Sequence, residues 1–180
     1  MSEEVRGPDV IPAVTGGVFD VATVLTASDD LLTSPAFVLA SYIIAQAIGN
    51  MTDPDDSALP DWPLFVSFMP DTSNVKTECG ALYDTSPIKD GRLMAGQVIS
   101  HFGIQLKIRS RTQVDGYAKA EAIAVALDTV QNETQVVGSY TYQLYNISRQ
   151  GSPVSLGMEE GNKGRYLFTV NLVLTMKRVI

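Results

Sequence analysis

The chain predicts an α+β fold, a mainly antiparallel sheet with helices packed on one face. Three observations predict it. From Phe102 to Arg109 the residues alternate strictly, with Phe102, Ile104, Leu106 and Ile108 apolar and Gly103, Gln105, Lys107 and Arg109 between them. That period of two marks a strand with one buried and one wet face. Next, residues 115–130 space Tyr117, Ala120, Ile123, Leu127 and Val130 three or four apart, with Lys119, Glu121 and Asp128 off that stripe. This is the pattern of an amphipathic helix, and the short link Arg111-Thr112-Gln113 folds it back on its own strand. Last, Tyr166, Phe168, Val170, Leu172, Leu174 and Met176 alternate without interruption, which predicts a long strand in the middle of the sheet. Strands and helices in this order make an α+β sandwich.

In chain order, residues 1–17 hold two prolines and the pair Gly16-Gly17, and read as a loose arm. Residues 19–32 fit either a short helix or a strand, with Val21, Ala22, Val24 and Leu25 apolar. Ser34 then suits an N-cap, Pro35 the first helical position and Gly49 the exit. Between them Phe37, Val38, Leu39, Tyr42, Ile43, Ile44, Ala47 and Ile48 predict a helix buried on more than one face. Residues 50–61 read as an acidic linker. A calcium loop fails there, because no Gly sits mid-loop and no Glu closes it. Residues 62–69 and 78–83 read as strands, and 85–96 as an exposed loop around Pro87, Gly91 and Gly96. Thr112 with Asp115 signs the start of the central helix. Residues 136–148 read as one strand whose Tyr140 and Tyr142 share a face, with Tyr145 opposite, for packing before binding. Residues 150–164 read as a long loop. The chain therefore divides into residues 1–61, an acidic arm with an apolar helix, and residues 62–180, the α+β body.

Charge follows that division. Residues 1–61 carry ten acids against one base, while the remainder carries ten acids against twelve bases, for a net charge of -7. An acidic chain is a poor candidate for wrapping nucleic acid, whose affinity comes from Lys and Arg on phosphates. The start Met-Ser-Glu-Glu has no positive region ahead of an apolar core, so no secretory signal is expected. The apolar run of residues 36–45 is too short to span a membrane. The single cysteine, Cys79, permits no internal disulfide and fits a small, partly buried residue in a reducing compartment. Chemistry is sparse. His101 is the only histidine and reads as structural. With Cys79 it makes two soft ligands in all, too few for zinc. Gly157-Met158-Glu159-Glu160-Gly161 lacks the lysine of a phosphate loop, and no Gly-x-Ser-x-Gly elbow occurs. No enzyme, cofactor or metal site is expected.

Three stretches carry a family resemblance. One is Ile108-Arg109-Ser110-Arg111 leading into Tyr117-Ala118-Lys119-Ala120-Glu121-Ala122-Ile123 and Leu127. Another runs from Gly151-Ser152-Pro153 to Leu156-Gly157. The third is Gly164-Arg165-Tyr166-Leu167-Phe168-Thr169-Val170-Asn171. From Trp62 onward the chain resembles the small tail-completion proteins of long-tailed bacteriophages, known as tail terminators or minor capsid proteins. The resemblance implies a homo-oligomer, a hexameric ring at the head-proximal end of the tail tube, assembled in the host cytoplasm and carried in the virion. It implies contacts with the major tail tube protein and with a head-completion or neck protein. DNA would pass through the ring without specific binding. Residues 1–61 exceed the compact family pattern. Loop position makes Met158, Glu159, Glu160 and Lys163, with Lys89 and Arg92, the expected contact residues. A head-side neck or connector protein is the alternative, followed by a small ligand-binding domain built on the tyrosine strand and His101.

Overall fold

The computed structural model describes residues 31–54, 62–71, 77–92, 98–159 and 164–179. The expected arm and most of the stretch 19–32 lie outside the described residues. After a short 3-10 turn at Leu31–Thr33 comes helix α1, Pro35–Ala45. Strands β1 (Met51–Thr52), β2 (Trp62–Val66), β3 (Cys79–Asp84), β4 (Ile88–Arg92) and β5 (Val98–Ser110) follow. Helix α2 spans Gln113–Asp128. The chain then forms β6 (Gln131–Val137), β7 (Tyr140–Arg149), β8 (Val154–Met158) and β9 (Tyr166–Val179).

Among the described residues nine strands join one sheet in the order β1-β2-β3-β5-β9-β7-β6, with β4 added to β5 and β8 added to β9. The β1-β2 and β2-β3 pairings are parallel and the others antiparallel. The sheet curls into a half-barrel. Its two longest strands, β5 and β9, pair along eleven registered positions from Ser100↔Met176 to Ser110↔Tyr166. The expected central strand is therefore there.

Alternation decides the core. Ile104, Leu106 and Ile108 of β5 join Phe168, Val170, Leu172 and Leu174 of β9 in one apolar cluster. Leu39 and Ile43 of α1 and Ala120, Ile123, Ala124 and Leu127 of α2 complete it. Helix α1 starts as its sequence predicts. Ser34 Oγ accepts from Phe37 N–H, and the Asp84 carboxylate accepts from Ser34 Oγ at 2.6 Å and Ala36 N at 2.9 Å. A negative group thereby meets the helix's free N–H ends. Its exit comes earlier than Gly49. The helix closes at Ala45, and Ala47, Gly49 and Asn50 take positive φ to turn the chain. Gly49 packs so closely on Ile123 that an added Cβ would lie 2.5 Å from Ile123 Cγ1. Helix α2 is capped by Thr112, whose Oγ1 accepts from Asp115 N–H at 3.0 Å.

Several sequence expectations need correction. Residues 85–96 are not simply a loop, because β4 pairs there with the start of β5. Residues 150–164 likewise contain β8, folded onto the start of β9. Residues 136–148 are not one strand. Gly138, at φ +57, turns the chain between β6 and β7, so two strands pair across a two-residue link. The first body strand stops at Val66, where Ser67 takes φ +64. Tyr117, expected on the buried stripe of α2, is exposed and lies edge-on to Phe168, while Gly116 takes the buried place. Arg109, expected on a wet face, is 1% exposed. That end of the second face is covered by a smaller cluster of Phe65, Cys79 and Ala81, packed by Met69 and Tyr83. There Arg109 donates to the Thr77 and Pro70 carbonyls, both at 3.0 Å.

Candidate functional site

The residues with intrinsic reactivity sit in structural settings. His101 Nδ1 lies 2.7 Å from Thr175 Oγ1 across the β5-β9 pairing. Cys79 is fully buried, and burial pushes its thiol up to about 11, so it stays protonated at neutral pH. Tyr142 is buried and donates to the Leu32 carbonyl, whereas Tyr140 receives the Arg178 guanidinium over its ring at 5.1 Å. Tyr145 occupies an irregularity in the pairing, where the register with β9 shifts between Leu144 and Asn146. That extra residue switches the core-facing set from Tyr142 and Leu144 to Ile147. Beside Tyr142 a groove of about 240 Å³ is lined by Thr33, Ser100, Phe102, Met176, Lys177 and Arg178. That is below the usual size of a small-molecule pocket. Among the described residues no group of three His, Cys, Asp or Glu could hold a metal ion. No described helix is long and apolar enough to cross a membrane.

The exposed apolar surface is more telling. Every residue of β8 is exposed, yet Val154, Leu156 and Met158 are 56%, 50% and 52% open to solvent. Among the described residues the strand pairs with β9, and it carries a register shift near Gly157, whose φ is +86. Its far end is pinned. Glu159 N–H donates to the Arg165 carbonyl at 2.8 Å, and the Arg165 side chain forms ion pairs with Glu159 and Asp71. Arg165 is 11% exposed in its side chain, and its hydrogen bond to Asp71 is the main cause that raises its pKa. The guanidinium thus ties the end of β8 to the segment after β2, and the flap is presented on a fixed base.

Of the expected contact residues, Met158 is exposed at the end of β8 and Glu159 is turned into the Arg165 pair. Glu160 and Lys163 lie outside the described residues. Lys89 and Arg92 fall on β4, opposite Ser100 and Val98 of β5, and so belong to the opposite end of β5 from Arg109. The structure does not bring the two groups together. Val154 and Leu156 were missed by loop-based reasoning. Their alternation with Ser155 and Gly157 was the available signal.

An exposed edge hairpin with apolar side chains on a pinned base is what an assembly subunit presents to other chains. The chain belongs to the bacteriophage tail terminator protein family, whose model matches residues 44–178. It is accordingly a structural protein of the phage tail and of the virion. One solved chain is 18% identical, covering 84% of this chain and 96% of its own length at a TM-score of 0.43. Another, from the virion of a native gene transfer agent particle, is 11% identical. It covers 63% of this chain and 78% of its own length at a TM-score of 0.35. No curated protein matches the chain.

Proposed function

We propose that the protein assembles as a ring on the head-proximal end of the tail tube, stops tube polymerisation there and offers the surface to which the head joins. The observation that carries this reading is the family match across residues 44–178. The exposed hairpin β8 supports it, since a ring subunit needs apolar contact surface that its own core leaves uncovered. Partners in this reading are further copies of the chain in a hexameric ring, the major tail tube protein and a head-completion or neck protein. DNA passes through the ring. The protein works by contact, without catalysis. Val154 and Leu156 join Met158 and the other expected contact residues.

Electron microscopy of lysates from phage with an amber stop in this gene tests the reading. Abnormally long tail tubes are expected, because loss of the length stop lets the tube keep growing. Tails of normal length detached from full heads would overturn it in favour of a neck or joining protein.

A further inference from the structure

The core-facing residues of β5 lose their cover toward one end of the strand. Ile104, Leu106 and Ile108 are at most 1% exposed, whereas Phe102 is only half-buried. Phe102 lines the groove beside Tyr142, together with Met176, Lys177 and Arg178. The chain itself arrives at this place. Thr33 lines the same groove, and the Leu32 carbonyl accepts from the Tyr142 hydroxyl at 3.0 Å. Leu32 also packs on Gly138, where an added Cβ would lie 2.9 Å from Leu32 Cδ1. Residues 1–30, which precede this anchor, lie outside the described residues.

The groove and the segment ahead of the anchor match in chemistry. Strands β5, β7 and β9 contain no Asp or Glu, and none is among the lining residues. Lys177 and Arg178 therefore meet no carboxylate in the groove wall, and Arg178 is exposed above the Tyr140 ring. Residues 1–30 carry six acids against Arg6 alone, and their last two residues are Asp29 and Asp30. These stand three and four residues ahead of Thr33, within about 10–14 Å of it at ~3.4 Å per residue. Val24 and Leu25 are the next large apolar residues back, with only Thr26, Ala27 and Ser28 between. The same entry point also leads to β6, an edge strand of the described sheet. That strand presents the exposed Glu133, which repels an acidic segment laid beside it. Charge favours the groove.

We propose that this groove is a binding site for an acidic peptide with apolar side chains, and that residues 24–30 of the same chain fill it. Val24 and Leu25 cover Phe102 and Met176, while Asp29 and Asp30 face Lys177 and Arg178. Burial of the two apolar side chains holds the segment, and the ion pairs set the direction in which it lies. A groove of about 240 Å³ suits a few side chains better than a separate small molecule. The short tether to Thr33 keeps this occupant at high effective concentration, so it outcompetes a free peptide of the same composition. The family match begins at residue 44, so the segment is an addition of this chain, and the assignment is independent of the ring reading.

The test is limited chymotrypsin digestion of the full-length protein, with cleavage after Leu25 measured against cleavage after Phe19 by mass spectrometry. Lys177→Glu/Arg178→Glu is expected to raise that ratio about threefold, and Asp29→Lys/Asp30→Lys to do the same, as the loss of two exposed ion pairs predicts. The variant carrying all four substitutions is expected to return toward the wild-type ratio, which misfolding would not do. An unchanged ratio in both double variants, or no recovery in the combined one, would overturn the proposal. Engineered cysteine pairs then locate the segment. Asp30→Cys/Arg178→Cys is expected to close a disulfide within one chain on mild oxidation, whereas Asp30→Cys/Glu133→Cys stays reduced. The native Cys79 is fully buried and takes no part. Closure of the Glu133 pair instead would move the segment to β6, and disulfides between chains would assign the groove to a neighbouring copy. Either outcome sinks the proposal.

Discussion

Arg109 shows how one side chain can be misplaced by pattern and explained by partners. Period-two alternation correctly assigns it to the face opposite the core. Pattern alone has no information about the Pro70 and Thr77 carbonyls that cover it. Replacing it with Met would leave both carbonyls without that donor in a buried site, so Arg109→Met is expected to cost about 2–4 kcal/mol in urea unfolding. Arg109→Lys should recover only part, since an ammonium cannot reproduce the planar fork. A change below about 0.5 kcal/mol for Met would mean the guanidinium is not needed there. Its neighbour Cys79 makes a pH prediction. The folded thiol is held near 11, above its ordinary value of 9.0, chiefly by burial. Between those values the folded state keeps a proton that the unfolded state releases, so stability falls as pH rises through that window, by at most about 3 kcal/mol. Burial also raises Tyr42, Tyr83 and Tyr142, which push in the same direction. The comparison of wild type with Cys79→Ala isolates the thiol. Urea midpoints at about pH 8 and about pH 11 should show the gap between the two proteins narrowing; a constant gap would remove the thiol from the account.

At the scale of elements, legibility tracked how strongly a segment is buried. Strands β5 and β9 and helix α2 were readable because each buries one face completely, so their apolar residues repeat at the period of the backbone. Strands β4, β6 and β8 were not, because each lies at the rim of the sheet. Strand β6 is almost wholly exposed, and β8 is exposed throughout. With little to bury, such strands carry at most a short alternation, as Val154, Leu156 and Met158 do in β8, that a loop reading passes over. The Gly138-Ser139 turn was nevertheless a usable hairpin signal. The contact surface was legible at Met158 but not at Val154 and Leu156, which count as surface only once β9 is known to be their registered partner among the described residues. Gly116 was also invisible to the pattern, as it registers as a weak helix residue. An added Cβ would lie 2.5 Å from Phe168 Cε2. Gly→Ala in a helix interior ordinarily gains up to about 1 kcal/mol. Here Gly116→Ala is expected to destabilise by about 1–3 kcal/mol through overpacking. Adding Phe168→Leu should restore part of that loss, and strict additivity of the two losses would show that no such contact exists.

For the whole molecule the question is which surface the fold leaves for other chains. Apolar side chains half open to solvent cost little in a folded monomer but carry a hazard of unwanted association, so a cluster on an edge hairpin points to a partner. Leu156 and Met158 support no core, and the hairpin beneath them is held by backbone pairing with β9 and by Arg165. Replacing them with Lys should therefore separate folding from assembly. Leu156→Lys/Met158→Lys is expected to keep its urea midpoint within about 0.5 kcal/mol of wild type, as for other surface changes. The same variant, supplied from a plasmid, is expected to fail to restore normal tail length to phage carrying the amber stop, because a desolvated ammonium opposes the contact. Full restoration would move the assembly contact to another surface, with β6, an edge strand of the described sheet, next in line. Failure accompanied by a lowered midpoint would instead show that β8 stabilises the subunit itself. Arg165→Met serves as the companion variant, since it frees the base of the flap while leaving its apolar residues in place. If presentation as well as composition matters, it should weaken restoration with Leu156 and Met158 untouched.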